Sequence, residues 1–144
     1  MSVALVAAVA VLAHPWTTVA QRSNLPSPLD RHAFVAGSFG ATAPFRRDLV
    51  DLDRTALRRV DYRRNAVVAA FLKAPSCGYR LEIVRLDRVG RRLSVYVRLH
   101  APRGTVNCMA ITQPYHVIAV PRRVLRSPLP TRVGLRTLPP VSSG

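Results

Sequence analysis

The sequence predicts an α+β fold dominated by β-structure, a small antiparallel sheet or compact sandwich with one helix packed before it. Three observations point there. Pro is frequent, at 12 of 144 residues, and aromatics are only 6%, a mix that suits short elements joined by turns rather than long helices. Apolar residues reach 49%, enough for one packed core in a chain of single-domain length. From Asp61 onward the hydrophobic period is two rather than that of a helix. The expected count is about five to seven strands, from the spacing of turn signals.

Ser2 to Ala13 is an almost unbroken run of Val, Ala and Leu that ends at His14 and Pro15. It is shorter than the roughly 20 residues a membrane-spanning helix needs. Thr18-Val19-Ala20 supplies small residues of the kind a signal peptidase reads, so residues 1–20 are expected to be a signal peptide cut before Gln21, and the chain to be exported. No Lys or Arg precedes the run, and the competing reading is a buried N-terminal helix. Residues 21–31, with Pro26 and Pro28, read as a flexible lead-in. His32 to Gly37 reads as a strand and Ser38 to Phe45 as a loop. Asp48 to Val60 is the helix: Leu49, Leu52, Ala56, Leu57 and Val60 fall on one face. Asp48 is placed to cap it, Asp51 and Asp53 lie early, and Arg58 and Arg59 lie late, the order the helix dipole favours.

Ala66 to Leu72 is apolar on both sides and reads as a fully buried strand. Tyr79, Leu81 and Ile83 alternate with Arg80 and Glu82, and Leu93, Val95, Val97 and Leu99 alternate with polar neighbours, around a turn at Asp87–Gly90. The two strands are expected to pair antiparallel, with Val67 and Leu81 in the core and Arg80 and Arg98 exposed. Pro102 to Asn107 is a loop. Met109 to Val120 reads as two strand pieces broken at Pro114, since Pro cannot donate to a ladder. The single domain is then 32–123, and 124–144 is a Pro/Arg-rich tail in which Val124-Leu125 and Val133–Leu135 offer a little strand and the end is disordered.

The charge is lopsided, with 22 Lys+Arg against 7 Asp+Glu and a formal net of +15; Lys73 is the sole Lys. One reading is a basic surface for an anionic polymer, glycan or nucleic acid. The other is a solvated Arg-rich face, because the Arg residues are scattered and form no basic helical stripe. Either way, weak salt-sensitive affinity for anionic surfaces follows.

Chemistry-bearing patterns are sparse. The four histidines, His14, His32, His100 and His116, show no metal-ligand spacing, so no metal or cofactor is expected. Glu82 is the sole Glu, which argues against paired-carboxylate catalysis. Cys77 could meet His100 or His116 in the fold as a nucleophile–base pair, but Cys108 competes for it. Two cysteines in an exported chain most often form one disulfide; two separate buried thiols are the alternative. A Cys77–Cys108 bond would close a loop of about 30 residues, for which chain entropy suggests roughly 3–4 kcal/mol.

Three pieces carry a resemblance: Val60-Asp61-Tyr62 leading into Ala66–Leu72; Pro75-Ser76-Cys77-Gly78-Tyr79 leading into the strand through Ile83; and Cys108 to Pro121. In this order, over about residues 60–122, they resemble the C-terminal domain of the protease-complex subunit PrcB family. The Pro75–Tyr79 turn is also reminiscent, by analogy only, of a loop in chagasin-type cysteine-protease inhibitors. The resemblance implies an exported, non-enzymatic protein-binding module, accessory to a protease or inhibitor-like, with a protease as the foremost partner and no catalytic residues to transfer. The family's turn usually carries two glycines where this chain has Cys77-Gly78. A positive φ at the first position would strain Cys77, and a disulfide to Cys108 would then hold the turn. Pro75, Ser76, Cys77, Gly78 and Tyr79, with Tyr96 and Tyr115 as flanking aromatics, form the expected binding surface.

Overall fold

A computed structural model describes residues 14–24, 31–104 and 111–142. Its elements are β1 (Thr17–Asn24), β2 (Arg31–Ala36), a 3-10 turn (Gly40–Thr42), α1 (Ala43–Arg46), α2 (Asp51–Arg58), β3 (Asn65–Leu72), β4 (Arg80–Val89), β5 (Arg92–Ala101), β6 (Gln113–Pro121), α3 (Arg122–Leu125), β7 (Arg132–Thr137) and β8 (Val141–Ser142). The first sheet has the order β1-β6-β3-β2 and is antiparallel throughout. The second has the order β4-β5-β7; β7 and the two-residue β8 both run parallel to β5. The expected β-dominated α+β class is the one found.

Three layers follow from where the apolar side chains go. Ala66, Val68, Ala70, Ile118 and Val120 of the first sheet meet Leu81, Ile83, Leu93, Val95 and Val97 of the second, and Leu125 closes the gap. On the opposite face of the first sheet, Val67, Ala69, Phe71, Tyr115 and Val117 pack against Phe45, Leu49 and Leu57 of the helical layer. β3 and β6 are therefore covered on both faces, which is why Ala66–Leu72 shows no polar alternation. The β4–β5 hairpin turns at Gly90-Arg91, where Gly90 takes φ 59°, a left-handed value that glycine adopts without penalty. Val67, Leu81, Val95 and Val97 are buried and Arg80 is exposed, as expected. Arg98 is half-buried rather than exposed. It lies within β5, and its Nε is buried without a hydrogen-bond partner among the described residues.

The boundaries need correction at both ends. Thr17–Asn24 pairs with β6 and buries Ala20, so 21–24 is strand rather than flexible lead-in, and a cut before Gln21 would fall inside it. Residues 1–13 and 25–30 lie outside the described residues. The expected tail also belongs to the domain: Leu125 is 1% exposed and β7 joins the second sheet. Arg88 secures this return by donating to the carbonyls of Leu125, Arg126 and Pro128. Arg122 does the same across the other side, donating to the Tyr62 carbonyl (2.9 Å) and the Gly37 carbonyl (2.6 Å). Part of the Arg excess is thus structural, five-donor heads each gathering several carbonyls.

The helix is also shorter than expected, with α1 and the 3-10 turn occupying what read as loop. Val50 rather than Asp48 precedes the first turn of α2, without a side-chain cap. Leu52 is 70% exposed and Asp53 only 4%, because Leu49, Asp53 and Leu57, four apart, share the inward face. β6 is one strand rather than two pieces. Pro114 sits at its start, beyond the last pair with β3, Phe71 with Tyr115, so its missing N–H removes no bond on that side.

Candidate functional site

The β3–β4 turn is built from the residues the sequence singled out. An isolated antiparallel bridge joins Ala74 and Thr112, with N–O distances of 2.9 and 3.2 Å. Thr112 then donates its hydroxyl to the Ser76 carbonyl at 2.8 Å, seating the turn on the segment that leads into β6. Gly78 takes φ 84°, whereas Cys77 does not have positive φ. The strain envisaged for Cys77 is absent, because the second position of the turn carries the left-handed conformation. Pro75 and Gly78 are exposed, and Ser76, Cys77 and Tyr79 are half-buried. The nearby Pro102–Gly104 segment turns at Gly104, φ 75°; the rest of that loop, Thr105 to Asn107, and Cys108 lie outside the described residues. No free cysteine thiol occurs among the described residues.

Tyr96 does not join this turn. It pairs with Arg85, four residues along β5 from the His100 that faces Arg80, roughly 13 Å away at strand rise. Its ring lies 5.1 Å from the Arg85 guanidinium on the open face of the second sheet. Tyr115 is not a rim residue but fully buried. Its hydroxyl donates to Asp53 Oδ2 and accepts from the Val50 N–H at 3.3 Å. Burial, and the bond to Asp53, push that hydroxyl's pKa far up. Arg22 grips the same carboxylate with Nε at 2.6 Å and Nη2 at 2.8 Å. The Arg22–Asp53–Tyr115 set therefore fastens α2 to β1 and β6. The signal for it was an Asp in the apolar register of the helix.

His116 makes the matching tie between the sheets. Its Nδ1 accepts from the Ile83 N–H at 2.8 Å, and its Nε2 lies 2.9 Å from Thr18 Oγ1. An accepting Nδ1 leaves the proton on Nε2, which donates to Thr18. Ile83 is free to point its N–H at the ring because the ladder slips between Ile83 and Arg85, a bulge that releases one backbone donor. Gln21 adds a bond to the Leu81 carbonyl at 2.7 Å. Burial lowers the His116 pKa to about 4, with Glu82 acting against the shift and Arg80 with it.

The sign of the pH effect follows. In the unfolded chain His116 has the ordinary value near 6.5, so between about pH 6.5 and 4 the unfolded state binds the extra proton. Stability from this group is complete above about pH 6.5 and is lost on acidification through pH 4, by about 3 kcal/mol at most. Denaturant melts at pH 7 and pH 4.5 are expected to show the loss. His116→Gln should be weaker at pH 7 but flatter across that window, and an equal pH dependence in the variant would remove His116 as its source.

Among the described residues, no three His, Cys, Asp or Glu side chains stand together to hold a metal ion, and no helix is long and apolar enough to cross a membrane. Comparison with curated proteins and with solved structures found no match. Comparison with protein families found one, covering β3, the turn, the β4–β5 hairpin and β6. Residues 66–121 match the family described as PrcB C-terminal.

Proposed function

We propose that this chain is an exported, non-enzymatic binding module of a protease complex, engaging its protein partner through the Pro75–Tyr79 turn. The observation that carries this reading is the PrcB C-terminal match over 66–121, which contains the turn. The geometry supports it. Pro75 and Gly78 of the turn are exposed, its backbone is tied to Thr112, and a tethered loop binds with less ordering penalty. Against catalysis by Cys77, both ring nitrogens of His116 are already engaged within the fold. We further propose a Cys77–Cys108 disulfide. It rests on Cys77, which carries no free thiol, and on Cys108 being the chain's one other cysteine. For export, a leader carrying the apolar run Ser2–Ala13 would have to be cut upstream of β1.

Affinity capture with the full chain on extracts of the native cell envelope tests the reading. A protease should be recovered by the parent and lost with Tyr79→Ala plus Pro75→Ala, while the melting temperature stays unchanged. Recovery unaffected by these changes would remove the turn from the interface. Intact mass of the native protein reads the leader and the disulfide together: loss of the apolar run and two fewer hydrogens are expected, and a retained Met1 or two free thiols would reject those two claims.

A further inference from the structure

The open face of the second sheet carries charge that the linear sequence disperses. Strand alternation and register place Arg80, Glu82, Arg85 and Asp87 of β4, Arg92, Ser94, Tyr96, Arg98 and His100 of β5, and Arg132, Gly134 and Arg136 of β7 on this side. The opposite side of the same strands is the apolar core, and the helices lie beyond the other sheet. On the β4 half, charges cancel: Arg80 pairs with Glu82 at 3.3 Å and Arg85 with Asp87 at 2.7 Å. On the β5–β7 half they do not. Arg92, Arg98, Arg132 and Arg136 form no ion pair among the described residues, and three of them, Arg92, Arg132 and Arg136, are exposed.

Small residues lie between these arginines: Ser94 stands beside Gly134, paired neighbours on β5 and β7. The Arg92 guanidinium lies over Gly134, 3.7 Å from where a Cβ on it would stand. Arg92 beside Arg132 marks one end, and Tyr96 beside Arg136 the other; the two arginines of β7 are about 13 Å apart at strand rise. Unpaired guanidiniums spaced along a line, with one half-exposed ring among them, match a chain that repeats a phosphate and a planar base. A folded acidic protein would fit less well, because an interface of that kind buries a central apolar patch. The large exposed apolar side chain on this face, Val89, 81% exposed, sits out at the hairpin corner.

We propose that the open face of the β4-β5-β7 sheet binds single-stranded nucleic acid, laid along β5 and β7 with phosphates on Arg92, Arg98, Arg132 and Arg136 and a base stacked on Tyr96. This goes beyond the protein-binding reading and does not depend on it. Fluorescence anisotropy of the full chain with a labelled oligothymidine of about 12 nucleotides, over a range of salt, provides the test. Arg132→Ser with Arg136→Ser should lower affinity about tenfold or more and reduce the salt slope by about 1.4. Tyr96→Ala should lower affinity with the slope unchanged. Arg59→Ser with Arg63→Ser, which removes the same charge from exposed positions on the helical side, should change affinity less than about threefold. Arg136→Ser alone serves if the double variant loses its far-UV spectrum. Equal losses from the two double variants would mean diffuse charge and overturn the site. So would the absence of binding near 0.15 M salt. Equal competition by a poly-glutamate peptide of matched charge would reassign the face to an acidic protein partner.

Discussion

Replacing Val95 by aspartate should leave a chain with no cooperative unfolding transition. Val95 is 0% exposed and points from the centre of β5 into the space between the sheets, among Ala66, Val68, Ala70, Ile118 and Val120. Every neighbour in that cluster is apolar, so a carboxylate there has neither counter-ion nor donor. Burying an unpaired charge costs several kcal/mol even after relaxation, a large part of the roughly 5–15 kcal/mol by which domains are stable. Thermal melts followed by near-UV dichroism provide the check, with Ser94→Asp as the matched control. Ser94 is the adjacent residue on the opposite side of the strand, and that variant should stay within about 0.5 kcal/mol of the parent. A Val95→Asp protein that melts within a degree or two of the parent would refute the inward placement of β5.

The second large effect is expected at Asp53. Its carboxylate is almost wholly buried yet accepts from Arg22 on β1 and Tyr115 on β6. In Asp53→Ala the Arg22 head, being partly exposed, can turn to water. The Tyr115 hydroxyl cannot, and keeps only the Val50 N–H. Loss of the charge-assisted bonds with one polar group stranded amounts to about 3 kcal/mol. Adding Tyr115→Phe should return part of that loss, since removing both ends of a buried polar contact is milder than removing one. Urea titration with an unchanged m-value is the measurement. A loss below about 1 kcal/mol would mean that α2 is held by Phe45, Leu49 and Leu57 alone.

The parts of the fold legible in the sequence are those whose signal is local. Leu81, Ile83, Leu93, Val95 and Val97 alternate because one face of their hairpin meets the core, and period-two burial writes itself into adjacent residues. β1 was not legible, since among Thr17–Ser23 only Ala20 is fully buried and the strand contributes instead through Gln21 and Arg22, polar side chains that bond to distant elements. Of β7 only the core was legible: Val133–Leu135 gave the short strand signal that the structure bears out, while its place in the second sheet was not, because Arg132, Gly134 and Arg136 face outward. Of the site residues, Pro75 to Tyr79 form one turn because they are contiguous. Tyr96 came from the polar face of its strand and is half-buried there, whereas Tyr115 was placed after the break read at Pro114, where the strand in fact begins. The Arg cluster is visible only once β5 and β7 lie side by side, forty positions apart in register, Arg92 with Arg132.

The position of β1 has a consequence for how the molecule associates. β6 sits inside its sheet only because the N-terminal strand covers one flank, pairing across the chain with Thr18 opposite Ile118 and Gln21 opposite His116. Peel β1 away, by proteolysis or an internal cut at Gln21, and the backbone of Tyr115 to Ala119 becomes an unpaired edge on a strand that is apolar on both faces. Such an edge recruits whatever strand is nearest. At high concentration that is the bared β6 of another molecule, and the outcome is an edge-to-edge dimer. Removing the N-terminal strand is therefore expected to raise the tendency to associate, which size-exclusion chromatography of the trimmed chain would read.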